Sequence, residues 1–360
     1  MRVGIIGAGP VGMAIAIAIK RADKAELKWY VRNEALRSEI AEGGLKVKMQ
    51  PAFDATSAIR FKPEDPDTFE GDRLERAQSA QEAVDELRCA EADFIVSFSE
   101  EELIGDADSF IGSAPDITLS CTKADAVLPI RRALSQLLRT PVFFVANGFW
   151  LHPGIDLGVM YGGGYNEGAH LSLIPGGRLV LGRTKSPYSE FLTTRPPDDN
   201  KGTLIYKHEE LLTIEEFIDC VDQDIVKPSL QHDIYPVMAR KAAANCLLNP
   251  LAALSGQPNG VLLLNEALPI VTKLAEEIVA VMEQARIMPP PPSAFTSIDL
   301  LADFNELAAR AGANRGSLQI DRLRGRVGEI NYLNGLLLGI AQRFGIEMPV
   351  NATVTSLLQC

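Results

Sequence analysis

The first twenty residues restrict the fold more than any other part of the chain. Val3-Gly4-Ile5-Ile6 is a short run of the kind that fills a buried parallel strand. It leads into Gly7-Ala8-Gly9-Pro10-Val11-Gly12, a G-x-G-x-x-G spacing, and then into Met13-Ala14-Ile15-Ala16-Ile17-Ala18-Ile19-Lys20. The Ala/Ile alternation imitates a strand, but both residue types are apolar, so it marks out no wet face. An alanine-rich, all-apolar run behind a glycine turn reads as a helix buried against a sheet. In such a strand–turn–helix, Gly7 allows the tight turn, Gly9 lets backbone approach a pyrophosphate, and Gly12 lets helix close on strand. The helix start offers N–H donors to phosphate. The expectation is a dinucleotide site built on Gly7, Ala8, Gly9, Pro10, Val11 and Gly12.

The next strand, Glu26 to Asn33, bears on which dinucleotide binds. NAD and FAD sites usually end this strand with an acid that bonds a ribose 2′-hydroxyl. Here Arg32 stands about twenty residues beyond Gly12, and a guanidinium suits a 2′-phosphate. That favours NADPH and weakens a flavin reading; a solvated strand-end arginine is the alternative. Asp93–Val96, Asp116–Cys121 and Pro141–Val145 read as further strands. Lys123 and Asn147 follow the last two, so they fall at the carboxyl ends where ligands of open α/β sheets collect. Gly158 to Gly182 reads as hairpin-like strands that complete the sheet.

With 360 residues and 46% hydrophobic content, the chain can bury two cores. A formal charge of −12 and a pI of about 5.0 argue against a nucleic-acid partner, which needs clustered Lys and Arg. The chain start has no basic leader or cleavage site, and the apolar run ending at Ile19 is too short to span a membrane. Five scattered cysteines suggest neither a disulfide framework nor a zinc site. His152, His170, His208 and His232 lack metal-ligand spacing. The expectation is a cytoplasmic protein without metal, membrane or nucleic acid, with a homo-oligomer left open.

From residue 233 the pattern turns helical, which divides the chain into domains at 1–232 and 233–360. Segments near 48–92 and 186–201 read as irregular additions to the first. In the second, Lys241, Asn245 and Asn249 recur every four residues among Ala242, Ala243, Ala244, Leu247 and Leu248. On a helix this makes one polar stripe on an apolar surface, costly unless something pairs with it. A small oxygen-rich substrate would do so. Pro250 should kink or end the helix and free carbonyls for a ligand. Ser317 to Gly335 reads as one more helix, with Ser317, Asp321, Gly325 and Glu329 again at four-residue spacing. Its glycines imply close backbone approach. Ser317 also reads as a helix cap, and Glu329 as a solvated acid.

Together these residues resemble the ketopantoate reductases. The resemblance is carried by the glycine loop, Arg32, Thr122-Lys123, Asn147-Gly148, Lys241-x3-Asn245-x3-Asn249-Pro250, Pro258-Asn259-Gly260, Ser317-x3-Asp321 and Glu329-Ile-Asn-Tyr-Leu-Asn-Gly335. It implies an α/β architecture: an N-terminal Rossmann-type doubly wound domain, an all-helical C-terminal domain and an active site between them. It implies NADPH as hydride donor to a small 2-oxo acid, 2-dehydropantoate in particular. It also implies Lys241 as general acid, with Glu329 ordering Lys241 or the substrate. Asn245, Asn249, Ser317 and Asp321 would hold substrate, with Lys123 and Asn147 beside the cofactor. The long interval between Arg32 and Lys123, the 186–201 loop and Gly328 depart from the family pattern. A related dehydrogenase of another 2-oxo acid or an opine, or a silent NADPH-binding sensor, are the alternatives.

Overall fold

The computed structural model describes residues 1–50, 91–134, 140–151, 155–162, 164–184, 206–310 and 315–359. Most of the 48–92 segment, all of 186–201, and His152, Cys89 and Cys360 lie outside the described residues.

In the first half, β1 (Arg2–Ile6), α1 (Pro10–Ala22), β2 (Glu26–Tyr30), α2 (Glu34–Gly43), β3 (Leu45–Met49), β4 (Phe94–Val96) and β5 (Leu103–Ile104) come first. Then follow α3 (Ala107–Gly112), β6 (Ile117–Ser120), α4 (Ala124–Leu134), β7 (Val142–Val145), β8 (Asp156–Tyr161), β9 (Gly164–Glu167), β10 (His170–Leu173), β11 (Gly177–Arg183), α5 (His208–Asp219) and β12 (Val226–Gln231). An eight-stranded sheet runs in the order β12-β11-β8-β7-β6-β1-β2-β5. Every neighbouring pair in it is parallel except β8 and β11. The chain leaves β1 toward β2 on one side and returns to β6 on the other. That reversal of strand order is the Rossmann-type switch point, and it opens a crevice at the carboxyl end of β1.

The Ala/Ile segment is helical, and Gly12 to Ile19 are all buried in α1. Gly158 to Gly182 does not wholly complete this sheet. β8 and β11 join it, but β9 and β10 turn away and pair with β3 and β4 in a separate four-stranded sheet, β4-β3-β10-β9. Periodicity reveals strands but not their partners.

The second half is helical: α6 (Tyr235–Ser255), α7 (Leu268–Gln284), α8 (Ser297–Arg310), α9 (Ser317–Leu323), α10 (Asn334–Phe344) and α11 (Pro349–Gln359). Two large apolar clusters form. One lies between the sheet and α1 and α5, around Trp29, Phe143 and Phe217. The other joins Phe144, Phe149, Trp150 and Leu157 to Tyr235, Leu247, Phe304 and Leu337. The second core thus crosses from sheet to helices, so the two halves meet over buried apolar surface and not through a linker alone.

Two local expectations are corrected. Helix α6 does not end at Pro250; it continues to Ser255. Proline cannot donate to the carbonyl four residues back, that of Cys246. Asn334 Nδ2 donates to that oxygen at 2.9 Å, so the freed carbonyl is held by the protein and not left for a ligand. The segment Ser317–Gly335 is not one helix either. Helix α9 stops at Leu323, Gly325 (φ +68°) and Gly328 (φ +70°) adopt left-handed backbone, and a short 3-10 turn at Ile330–Tyr332 precedes α10. Glycine reaches that conformation without the penalty of a Cβ, so here these residues break the helix. Only Gly328 is closely packed, against Leu318 and Asp321; Gly325 and Gly339 face open space.

Candidate active site in the cleft between sheet and helices

The glycine loop is held from below and open above. Gly7 has φ +104°, donates its N–H to the Tyr30 carbonyl (3.1 Å) and accepts from the Trp29 indole at 2.9 Å. A Cβ on Gly12 would run into the Gly7 carbonyl, whereas one on Gly9 would meet nothing within 4 Å. Helix α1 begins with Gly9 as N-cap and Pro10 in the first turn, with no side-chain cap and no acid there. Its first N–H groups are thus left for an anion from the crevice. Arg32 lies just past β2 with its side chain exposed. These features fit a phosphate-bearing dinucleotide: space where the pyrophosphate approaches, donors behind it and a cation at the ribose end.

Lys241, Asn245 and Asn249 share one face of α6. Asn245 and Asn249 are 7% and 6% exposed, and neither makes a side-chain hydrogen bond among the described residues. Lys241 is half-buried. Its Nζ donates to Asn147 Oδ1 at 3.0 Å, and Asn147 Nδ2 donates to Glu329 Oε2 at 3.0 Å. This fixes the carboxamide orientation, because an ammonium needs the oxygen and a carboxylate needs the amide. Glu329, 8% exposed, uses its other oxygen to accept the backbone N–H of Ala124 at 3.2 Å, at the start of α4. A helix N-terminus favours a carboxylate there. Burial pulls the Lys241 ammonium down from its ordinary 10.5 to about 8, and the charge on Glu329 opposes the fall.

The loop after β7 is clamped to the 3-10 turn. Gly148 (φ +125°) lies against Tyr332, whose carbonyl accepts the Phe149 N–H at 3.1 Å, and Trp150 stacks on the Tyr332 ring with centroids 5.9 Å apart. This brings Asn147 and Glu329, far apart in sequence, to the same point.

Lys123 and Asp321 meet each other. Lys123 Nζ lies 2.8 Å from Asp321 Oδ2, and Arg326 reaches Asp321 Oδ1 at 2.9 Å. Asp321 is buried and Lys123 half-exposed, so the buried carboxylate ties the end of β6 to α9. Ser317 is exposed in the first turn of α9; Gly316 is the N-cap, and Ser317 makes no cap bond. Sequence reading did not single out Tyr161, and it included Asn334 only in the Glu329–Gly335 motif, without a role. Tyr161 ends β8 with its ring 5.7 Å from Lys241 Nζ, and only tertiary structure brings it there. Among the described residues no His, Cys, Asp and Glu group could hold a metal, and no helix is long and apolar enough to cross a membrane.

The family model for the ketopantoate reductase PanE/ApbA C terminal matches residues 233–360. The 2-dehydropantoate 2-reductase of Vibrio cholerae is 30% identical over 123 residues, 34% of this chain and 39% of that protein. Its Shigella flexneri counterpart is 32% identical over 121 residues, 33% of this chain and 37% of that protein. The match thus spans about two fifths of the length of these curated relatives. In fold the likeness covers the whole chain. The 2-dehydropantoate 2-reductase structure from Geobacter metallireducens superposes with a TM-score of 0.67 at 19% identity, over 100% of this chain and 99% of that one. A D-mandelate dehydrogenase solved with NADH and anilino(oxo)acetate gives 0.66 at 15% identity, over 100% and 97%. Residues 233–360 thus match the C-terminal domain of the ketopantoate reductases.

Proposed function

We propose that the chain uses NADPH to reduce a small 2-oxo acid to its 2-hydroxy acid, and that the substrate is 2-dehydropantoate, giving pantoate. The observation that carries this reading is the Lys241–Asn147–Glu329 chain beside Asn245 and Asn249, two buried carboxamides without side-chain hydrogen bonds among the described residues. In this reading residues 1–232 bind the cofactor and 233–360 supply the substrate and catalytic groups.

Gly7, Ala8, Gly9, Pro10, Val11 and Gly12 would seat the pyrophosphate, Arg32 the 2′-phosphate, and Lys123 and Asn147 the nicotinamide end. NADPH supplies the hydride. Asn245, Asn249 and Ser317 grip the hydroxyl and carboxylate oxygens of the substrate. Asp321, with its oxygens occupied by Lys123 and Arg326, does not grip substrate directly but aims Lys123. Lys241 faces the ketone oxygen. As that oxygen gains negative charge, the ammonium stabilises it and then gives up a proton. A value of about 8 leaves the lysine charged at neutral pH yet willing to release that proton. Glu329, acting through Asn147, holds the ammonium in place.

The test is NADPH and NADH oxidation with 2-dehydropantoate and a panel of 2-oxo acids that includes phenylglyoxylate. Turnover led by 2-dehydropantoate and NADPH supports the full reading. Turnover led by another acid, or by a 2-oxo acid together with an amino acid, would keep the chemistry and replace the substrate. Tight NADPH binding with no turnover on any of them would leave a sensor.

A further inference from the structure

We propose that Tyr161 is a positioning residue for Lys241: its ring holds the ammonium in the charged form and its hydroxyl fixes the helix turn that carries it. The inference rests on the reading of Lys241 as the proton donor, which it deepens.

Tyr161 is the last residue of β8, beside the antiparallel pairing with β11. Its hydroxyl donates to the Val237 carbonyl at 3.3 Å. Val237 lies four residues before Lys241, so the tyrosine grips the turn of α6 directly below the lysine. Lys241 Nζ stands 5.7 Å from the ring centroid, within reach of the negative ring face. Burial raises the Tyr161 phenol above its ordinary range, so the ring meets the ammonium as a neutral group.

The charges that face this pair come from several elements. Glu329 acts on Lys241 across Asn147. Arg178 of β11 lies 4.8 Å from the same ring. Arg240, next to Lys241 in the chain, is neutralised by Asp303 of α8. Burial pushes Lys241 toward neutrality; Glu329 and the ring resist. Arg178 competes with Lys241 for the ring and opposes its charge, so the two substitutions below act in opposite directions.

The readout needs no turnover. The pH dependence of Lys241 acetylation by acetic anhydride, followed by mass spectrometry of the peptide that contains it, gives the titration midpoint of the amine. We expect Tyr161→Leu to lower that midpoint by about one unit and Tyr161→Phe, which keeps the ring, to leave it near the parent value. Arg178→Gln, at an exposed position, should raise it by about a few tenths of a unit. The alkaline limb of the pH–rate profile should follow each shift. Equal shifts from Leu and Phe, or an unmoved midpoint in Leu, would overturn the role of the ring; so would a lowered midpoint in Arg178→Gln. A shifted midpoint with an unshifted rate profile would uphold the role of the ring and remove Lys241 as the proton donor.

Discussion

The ammonium of Lys241 and the carboxylate of Glu329 address opposite ends of one carboxamide, that of Asn147, at 3.0 Å each. They form no direct ion pair among the described residues. A direct pair would hold the lysine firmly charged. The intervening amide transmits orientation without a full ion pair, so burial brings Lys241 down to about 8 against the opposing charge of Glu329. Because Asn147 lies in the loop after β7 and Glu329 in the helical part, the arrangement exists only when both halves are in contact.

Asn147→Leu should break that arrangement without unfolding the chain, because Phe149 and Gly148 still dock on Tyr332. We expect kcat to fall by about 10²-fold, the lower end of what a misplaced proton donor costs. Steady-state kinetics of NADPH oxidation check it; a kcat within twofold of the parent would remove Asn147 from the mechanism.

The proposed reduction needs Lys241 protonated. Its value is lowered from 10.5 to about 8, so kcat/KM should be level below about pH 7 and fall tenfold per unit above about pH 8. Glu329→Gln removes the charge that holds the value up, so the falling limb should move to lower pH. A profile flat to pH 10 would contradict the assignment, as would a limb moved upward in Glu329→Gln.

Arg32→Ala should weaken 2′,5′-ADP by about tenfold or more, as expected for loss of one charge-assisted contact to phosphate. The affinity for 5′-AMP, which lacks the 2′-phosphate, should stay within twofold. Calorimetric titration measures both; equal losses would make Arg32 a solvated strand-end residue.

Asn334 donates to the Cys246 carbonyl that Pro250 leaves free and also to Asn351 Oδ1 at 2.7 Å. Asn334→Ala should cost about 1–3 kcal/mol, the penalty of an unsatisfied buried acceptor. Adding Pro250→Ala restores the helix's own N–H donor to Cys246 and should recover part of the loss. Urea unfolding of the single and double variants gives both numbers; a double variant weaker than the sum of its parts would contradict this account of the helix.

Much of the architecture was legible in the chain because the signals were local. The glycine loop needs only its flanking strand and helix to be read, and the Lys241–Asn249 stripe follows from helical spacing. What escaped was non-local or decided by left-handed backbone. Gly325 and Gly328 read as close-packing glycines in a long helix, but they end α9 and let the chain reverse so that Glu329 points back at Asn147. Pro250 read as a helix end because its remedy, Asn334, lies far along the sequence. Tyr161 carries no motif; the pairing of β8 with β11 and its contact with α6 place it beside Lys241.

In the proposed reaction this cleft delivers hydride to the carbonyl carbon of a 2-oxo acid while Lys241 protonates its oxygen. The most direct measurement uses NADPH deuterated at both C4 positions, with 2-dehydropantoate and mass analysis of the product, for the parent chain and for Lys241→Ala. The parent should give pantoate carrying one deuterium at C2, and the variant a rate lower by about 10³-fold. Product without deuterium, or a Lys241→Ala variant that transfers deuterium at the parent rate, would contradict it.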